Sequence, residues 1–316
     1  MWNSVEKAGE GGILGVLNKT LCTLQENRPT TFPNFLTEQT IFAASDYSGQ
    51  HKGAKYEAYS FVFTSPKSWS RWERHRLEVR SRFLLTRNMS YKTLDDKKRW
   101  EMLPYFMSAV AMLPGITLTI LVHKSISSLF AVDGKLDMSR PGLEKVADWK
   151  ISSVEKLLRI THFMGLLFVG LSGHLQNLIW ITDEDDIVAN EERLGITTGI
   201  GAEVCSALTN HRLGHFRLGT TANQATRNQL EDLAAIPDFC SGALVSVLDD
   251  MEKRDSMTSS SILLPVSPSI PRKSKAILQW FTGDFPMKQV AIAIDPTSTD
   301  GLLDVRRLVF DKISAF

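Results

Sequence analysis

Residues 40–64 read TIFAASDYSGQHKGAKYEAYSFVFT, two apolar runs separated by a polar segment that contains two glycines. Short runs rich in β-branched and aromatic residues, interrupted by glycine, predict a β-hairpin rather than a helix. The first run, 41–44, reads as a buried central strand that ends at Asp46. A carboxylate at the end of such a strand is held rigidly and still reaches solvent, as a metal or phosphate site requires. The alternative is that Asp46 and Ser48 only begin a turn, which Asp, Ser and Gly favour for local reasons.

The composition and charge are those of an ordinary globular protein. The 36 basic and 35 acidic residues nearly cancel, so no global field draws the chain to nucleic acid or to a membrane, and only a local basic patch is allowed. Three scattered cysteines without a Cys-x-x-Cys pair predict neither a zinc site nor a disulfide framework, and they favour a reducing, cytoplasmic compartment. Two uncharged stretches, 102–123 and 161–182, are interrupted by proline, glycine or polar residues, so we expect a soluble protein without membrane spans.

The rest of the chain alternates predicted helices and strands. Helices are predicted over 68–85, 96–112, 141–171, 188–209 and 237–251, and further strands over 88–92, 116–122, 178–181, 215–220, 276–281, 289–294 and 305–310. Three antiparallel strands followed by parallel strands between helices predict an α/β fold, with a mixed sheet flanked by helices. We expect a peripheral extension at 1–39, a core domain at 40–252, a Ser/Pro-rich linker or loop at 253–275 and a strand-rich C-terminal extension at 276–316.

Three acidic residues lie at the ends of predicted elements. Asp46 ends the first strand, Asp183 follows the strand at 178–181, and Asp238 begins the last predicted helix of the core. Hard divalent cations such as Mg²⁺ take oxygen ligands, and carboxylates from separate rigid elements hold them in sites that cleave phosphodiesters. Each acid also has a structural explanation, because Asp183 belongs to an acidic loop and the helix dipole favours an acid at the position of Asp238.

A basic helix is the other candidate for binding. Six arginines lie between residues 71 and 87, namely Arg71, Arg74, Arg76, Arg80, Arg82 and Arg87. Arginine binds phosphate through its forked guanidinium group. Arg71, Arg74 and Arg82 share one helix face with Glu78, and we hypothesise that this row binds nucleic acid beside Asp46. The alternative is that the arginines pair with the acids of residues 183–192.

Five short segments match the motifs of one known family in the same order along residues 40–252. They are IFAASDYSG (41–49), NMSYKTL (88–94), ITLTILVHK (116–124), LIWITD (178–183) and IPDFCSGAL (236–244). They resemble, in turn, an Asp-Glu-Ser-Gly first strand, a Glu-x-Lys strand, a strand ending in Lys, a strand ending in Asp and the last-helix motif of an RNase H-like family of unknown function. The resemblance implies an RNase H-like fold and a metal-dependent nuclease or phosphodiester-transfer activity.

The same resemblance implies roles for four residues. Asp46, Asp183 and Asp238 would hold Mg²⁺ or Mn²⁺, and Lys92 would contact a phosphate or orient a carboxylate. Nucleic acid is then the expected partner.

Three positions depart from the family pattern. Tyr47 replaces the signature Glu, Ser90 stands at the place of the third-strand Glu, and His123 rather than Asp ends its strand. One carboxylate is therefore missing or is supplied by another acid, for which the candidates are Glu73, Glu78 and Glu184. The second hypothesis is a catalytically degenerate RNase H-like protein that acts as a binding or scaffold subunit, with a protein partner, in a nucleic-acid-handling or defence complex.

Overall fold

The computed structural model of the protein describes residues 1–131, 136, 138, 143–221, 228–254, 261–264, 268–297 and 302–312. The chain has an α/β fold with a mixed sheet flanked by helices, as predicted. It divides into two compact units, each made of two stretches of chain. Unit 1 contains Met1–Ile41 and Ser125–Asn223, and unit 2 contains Phe42–Lys124 and Gln224–Phe316. The predicted core, 40–252, thus contributes to both units.

The elements alternate along the described chain as follows. The strands are β1 (Thr40–Ser48), β2 (Tyr56–Thr64), β3 (Gly115–His123), β4 (Asn177–Thr182), β5 (Phe216–Thr220), β6 (Ser261–Leu264), β7 (Met287–Pro296) and β8 (Leu303–Lys312). The α-helices are α1 (Gly12–Asn27), α2 (Trp69–Phe83), α3 (Lys97–Ala111), α4 (Ile151–Leu171), α5 (Glu191–Leu208), α6 (Gln229–Lys253) and α7 (Arg272–Trp280). Short 3-10 turns lie at Glu6–Ala8, Pro66–Ser68, Tyr91–Thr93 and Leu143–Val146.

Unit 2 is built on the predicted hairpin. Its strands follow the order β1-β2-β3-β7-β8-β6, and α6 packs on β2 and β3. The pairs β1–β2 and β2–β3 are antiparallel, β3 pairs with β7 in parallel, β7–β8 is antiparallel and β6–β8 is parallel. The first eight residues of β3 are all buried, as expected for a strand covered on both faces. The antiparallel start of the sheet is therefore confirmed, with β3 as its third strand.

Two segments predicted as strands have other structures. Residues 88–92 do not form the third strand, because a turn closes there: Thr93 donates its backbone N–H to the carbonyl of Ser90, and Tyr91–Thr93 is a 3-10 turn. Residues 276–281 lie almost entirely in helix α7, which buries one face, including Ile277, Leu278 and Trp280, and leaves basic residues towards solvent. The apolar residues of this segment repeat with the period of a helix. A segment this short does not distinguish that period from the period of a strand.

Unit 1 contains the parallel pair β4–β5, helix α5 packed on β5, and helix α4 packed on α1 and α5. Helix α4 begins at Ile151 rather than at 141, and residues 139–142 lie outside the described residues. The N-terminal segment is part of the packing of this unit, because the indole ring of Trp2 lies where a side chain on Gly170 of α4 would otherwise stand. Within the described ranges, no helix combines the length and apolar composition that crossing a bilayer requires.

A buried ion cluster joins α2 to α6 in unit 2. Asp232 is 0% exposed and Arg76 is 1% exposed. Arg80 binds both carboxylate oxygens of Asp232 at 2.6 Å, and Arg76 Nη1 donates to Asp232 Oδ2 at 2.9 Å. Glu73 accepts from the other side of the Arg76 guanidinium at 2.6 and 2.9 Å, and the carbonyl of Leu85 accepts from Arg80 at 3.1 Å. Two of the six arginines are therefore structural, paired with Asp232.

We expect Asp232→Asn to lower the free energy of unfolding by about 3–5 kcal/mol, because buried Arg80 loses its countercharge and buried Arg76 keeps only Glu73. Urea denaturation followed by circular dichroism measures this change. Arg71→Gln, at an exposed position of the same helix, serves as the control and should change stability by no more than about 0.5 kcal/mol. An Asp232→Asn variant as stable as the parent chain would contradict the structural role of the cluster.

Candidate functional site

A row of polar side chains crosses three strands of unit 2. Asp46 on β1 is in register with Ser60 on β2, which is in register with Thr119 on β3. The hydroxyl groups of Ser60 and Thr119 are hydrogen-bonded to each other and fully buried, whereas Asp46 is half-buried. Strand β1 continues two residues beyond Asp46, to Ser48, so Asp46 is held by the strand ladder instead of beginning a turn.

Helix α6, which carries Asp238, contacts Asp46 through Ser241. The hydroxyl oxygen of Ser241 lies 3.5 Å from Asp46 Oδ2 and 3.0 Å from the backbone carbonyl oxygen of Asp238. Ser241 is completely buried, and both oxygens are acceptors for its single hydroxyl proton. The structure therefore brings Ser241, one turn after Asp238 on helix α6, next to the carboxylate of Asp46. Sequence reasoning missed Ser241, although it lies one helical turn after Asp238.

Asp238 lies in the interior of its helix, contrary to the prediction that it begins one. Helix α6 begins at Gln229, and the five residues before Pro237 are buried within it. The helix passes through Pro237, whose missing N–H leaves the carbonyl of Leu233 without its helical donor. The helix dipole at an N-terminus therefore does not explain the acid at position 238.

The carboxylate of Asp238 fixes the turn that carries Lys92. Asp238 Oδ2 accepts a hydrogen bond from the backbone N–H of Tyr91 at 2.6 Å. The ring of Tyr91 lies against Gly242, where an added Cβ atom would be 2.4 Å from the ring. The hydroxyl of Tyr91 contacts Ser246 Oγ at 2.8 Å. Lys92 is the next residue and is exposed, so its charge lies one residue from a backbone N–H bound to Asp238.

Asp183 lies in unit 1, in the turn after β4. Its Oδ1 accepts from the backbone N–H of Glu184 at 2.9 Å and from the hydroxyl of Thr221 at 3.0 Å. The following acids, Asp185 and Asp186, are paired with Lys156 at 2.8 and 2.9 Å. Burial raises the pKa of the Asp185 carboxyl despite the opposing charge of that lysine. The hydrogen bonds from Glu184 and Thr221 hold Asp183 in a turn. Its role as a metal ligand stays a prediction.

Tyr47 and Ser90, which stand where the family that the chain resembles has Glu, make structural contacts in this protein. The hydroxyl of Tyr47 is 2.7 Å from Ser45 Oγ, and its ring packs on that of Tyr59 with centroids 5.9 Å apart. Ser90 is hydrogen-bonded to Thr93. Of the substitute acids, Glu73 binds Arg76, Glu78 contacts His75 at 3.3 Å, and the backbone N–H of Glu184 binds Asp183.

The neighbouring thiol is not a nucleophile. Burial is the main cause that raises the pKa of Cys240 to about 12. A hydrogen bond with Thr117 lowers this pKa, and the negative charge of Asp238 raises it. Only the thiolate attacks, so a thiol that stays protonated at neutral pH is inert. The chemistry available beside Asp46 is therefore that of carboxylates and a hydroxyl group.

Asp46 and Asp238 carry the oxygen ligands that a hard divalent cation takes. In the part of the chain that the structure describes, no group of three or more His, Cys, Asp or Glu side chains is placed to hold a metal ion. Mg²⁺ keeps several waters and is commonly held by one or two carboxylates together with substrate phosphates. Asp46 and Asp238 are of the residue type that this smaller set uses, and the predicted set of three, with Asp183, stays a prediction.

Three exposed arginines form the predicted basic row on α2. Arg71, Arg74 and Arg82 are all exposed. Arg82 also donates to the hydroxyl of Tyr105 on α3 at 3.3 Å, with its guanidinium carbon 4.4 Å from the centre of the tyrosine ring. Tyr105 was not among the predicted site residues, because a single tyrosine in a helix carries no signal of its own.

Comparison with known proteins adds no family assignment: no protein-family model matches the chain, and no curated protein matches it. The resemblance to the RNase H-like family therefore rests on the five short segments. It stays a prediction.

We expect Gly242→Ala to destabilise the protein by about 1–3 kcal/mol, because the new methyl group must displace the Tyr91 ring and the turn it anchors. Gly195→Ala is the matched control, since Gly195 also lies inside a helix but has open space around it. The control should stabilise by about 0.5–1 kcal/mol, the helix-propensity gain. Thermal unfolding of both variants measures whether each substitution raises or lowers the stability. Equal shifts in the two variants would contradict the packing of Tyr91 on α6.

Proposed function

We propose that this protein is a divalent-metal-dependent nuclease or phosphodiester-transfer enzyme of RNase H-like type. The observation that supports the proposal is the contact between strand β1 and helix α6, each of which carries one of the acids: the hydroxyl oxygen of Ser241, one turn after Asp238, lies 3.5 Å from Asp46 Oδ2. Both acids are half-buried, so each is fixed by its element and still accessible to solvent. Two carboxylates from separate rigid elements are the arrangement that phosphodiester-cleaving sites use.

The residues of this chain have distinct tasks in the proposed site. Asp46 and Asp238 would hold Mg²⁺ or Mn²⁺, which when bound stabilises the negative charge that develops on a phosphodiester. Ser241 orients Asp46 by its hydroxyl group, and the backbone N–H of Tyr91 orients Asp238. Lys92 offers a positive charge to a phosphate oxygen. Asp183 stays the predicted third ligand and belongs in the test.

A second candidate function is a non-catalytic binding or scaffold protein on the same fold. It is favoured by the hydrogen bond from the backbone N–H of Tyr91 to Asp238 Oδ2 at 2.6 Å, which gives this carboxylate a structural role. The tyrosine at position 47 also removes the signature carboxylate next to Asp46 and uses its ring for packing. In this function the acids shape the fold, and nucleic acid or a protein partner binds without being cleaved.

Metal-dependent cleavage of end-labelled RNA and DNA separates the two functions. We expect cleavage with Mg²⁺ or Mn²⁺ but not with EDTA, and a loss of about 100-fold or more in Asp46→Asn and Asp238→Asn, the scale seen when one charge-stabilising group is removed. Asparagine keeps an oxygen for Ser241 and Tyr91, so these variants should fold normally. Asp148→Asn, at an exposed acid, is the matched control and should cleave like the parent chain.

The other outcomes are equally informative. A loss in Asp183→Asn would support that residue as the third ligand. Cleavage that is unchanged in Asp46→Asn and Asp238→Asn overturns the proposed site. A folded parent chain that binds nucleic acid but cleaves none of the substrates with either metal supports the second function.

A further inference from the structure

A groove in unit 2 lies between α2 and α3 and shares no lining residue with the proposed site at Asp46 and Asp238. Its volume is about 210 Å³, and its walls include His75, Glu78, Val79, Arg82, Tyr105 and Ser108. None of Asp46, Asp238 and Ser241 contributes to it. The groove is therefore a separate feature that the acidic site does not explain.

The groove presents a flat cation stacked on an aromatic ring. The guanidinium carbon of Arg82 is 4.4 Å from the centre of the Tyr105 ring, and the ring of Phe83 lies 5.4 Å from the same ring. Arg82 is exposed, and Tyr105 is 41% exposed although it is a large aromatic side chain. Unpaired nucleic-acid bases stack on both kinds of surface, aromatic rings and arginine planes. The stack thus matches a nucleobase in shape and chemistry.

Charge on the same helix matches the phosphates that accompany a base. Arg71 lies on the helix face that also carries His75, Glu78 and Arg82, about 16 Å from Arg82 along the axis at 1.5 Å per residue. Arg74 is also exposed. Glu78 is the one acid in the groove wall and contacts His75 at 3.3 Å. Three exposed arginines against one acid leave this face positive.

The helix that carries these arginines is held in place from its other side. Arg76 and Arg80 point inward and bind the buried Asp232. Because the inward arginines are fully engaged, the outward ones are presented on a rigid element. Preorganised groups lose less conformational entropy on binding.

We propose that the groove between α2 and α3 binds single-stranded nucleic acid, with a base stacked on Arg82 and Tyr105 and phosphates bound by Arg71 and Arg74. A single strand is required because the bases of a duplex are stacked on one another and do not reach a side-chain platform. The inference rests on the proposed function in that it names the form of the substrate. Binding itself is independent of the acidic pair.

Fluorescence anisotropy with labelled oligouridine and oligothymidine of about 12 nucleotides, within the usual range of single-strand sites, tests the inference in EDTA, where no cleavage occurs. We expect Tyr105→Leu and Arg82→Lys each to weaken binding by about tenfold, because one stacking partner is lost. Tyr105→Phe keeps the ring and should bind like the parent chain. The RNA and DNA arms distinguish the two sources of the strand.

Salt dependence tests the phosphate contacts. Arg71→Gln and Arg74→Gln should each reduce the slope of log affinity against log salt by about 0.7, the value for one phosphate contact to a single strand. Glu78→Gln should tighten binding, since it removes a negative charge from the groove. Arg212→Lys, at an exposed arginine of unit 1, is the matched control for Arg82→Lys and should change neither affinity nor slope.

Several results would overturn the inference. They are no binding by the folded parent chain, parent-like affinity in both Tyr105→Leu and Arg82→Lys, and a duplex of equal length bound as tightly as the single strand. Thermal unfolding of each variant shows that it is folded. Binding by the folded parent chain that persists while the parent chain cleaves neither RNA nor DNA with Mg²⁺ or Mn²⁺ would refute the nuclease function alone, so the two proposals fail separately.

Discussion

The buried carboxylate of Asp232 constrains unit 2 more than any other interaction described here. A charge removed from water is tolerated only when it is paired and hydrogen-bonded, and Asp232 meets this condition through Arg76 and Arg80. These bonds fix α2 against α6. Because Ser241 follows Asp232 on the same helix, the fixed position of α6 also sets where Ser241 meets Asp46 on β1.

Helix α2 shows how one residue type serves two purposes within a single helix. Arg76 and Arg80 are one turn apart and face inward, where Asp232 and Glu73 together neutralise their two charges. Backbone carbonyls accept further N–H groups of Arg80. The exposed arginines of the same helix keep their charge for solvent or a ligand. The inward pair is buried, and the exposed arginines make the solvent-facing side of the helix basic. The whole chain, by contrast, is almost neutral.

The parts of the structure that follow from local periodicity were predictable from the sequence. The hairpin at 40–64, helix α2 and strand β3 are recognisable from runs and spacing, and the structure confirms them. The errors arose where distant groups decide the outcome: the segment 88–92 is a turn because the carboxylate of Asp238 takes the N–H of Tyr91. The partner of the inward arginines was also not predictable, because Asp232 is 156 positions from Arg76 and no local pattern marks such a pair.

That separation has a consequence for synthesis on the ribosome. Unit 2 is discontinuous, and the residues from Ser125 to Asn223 that interrupt it belong to unit 1. Since translation adds about 5–20 residues per second, the arginines of α2 wait on the order of 10–30 s for Asp232 to be made. During that interval Arg80 lacks the native countercharge of Asp232, whereas Arg76 already has Glu73 from its own helix.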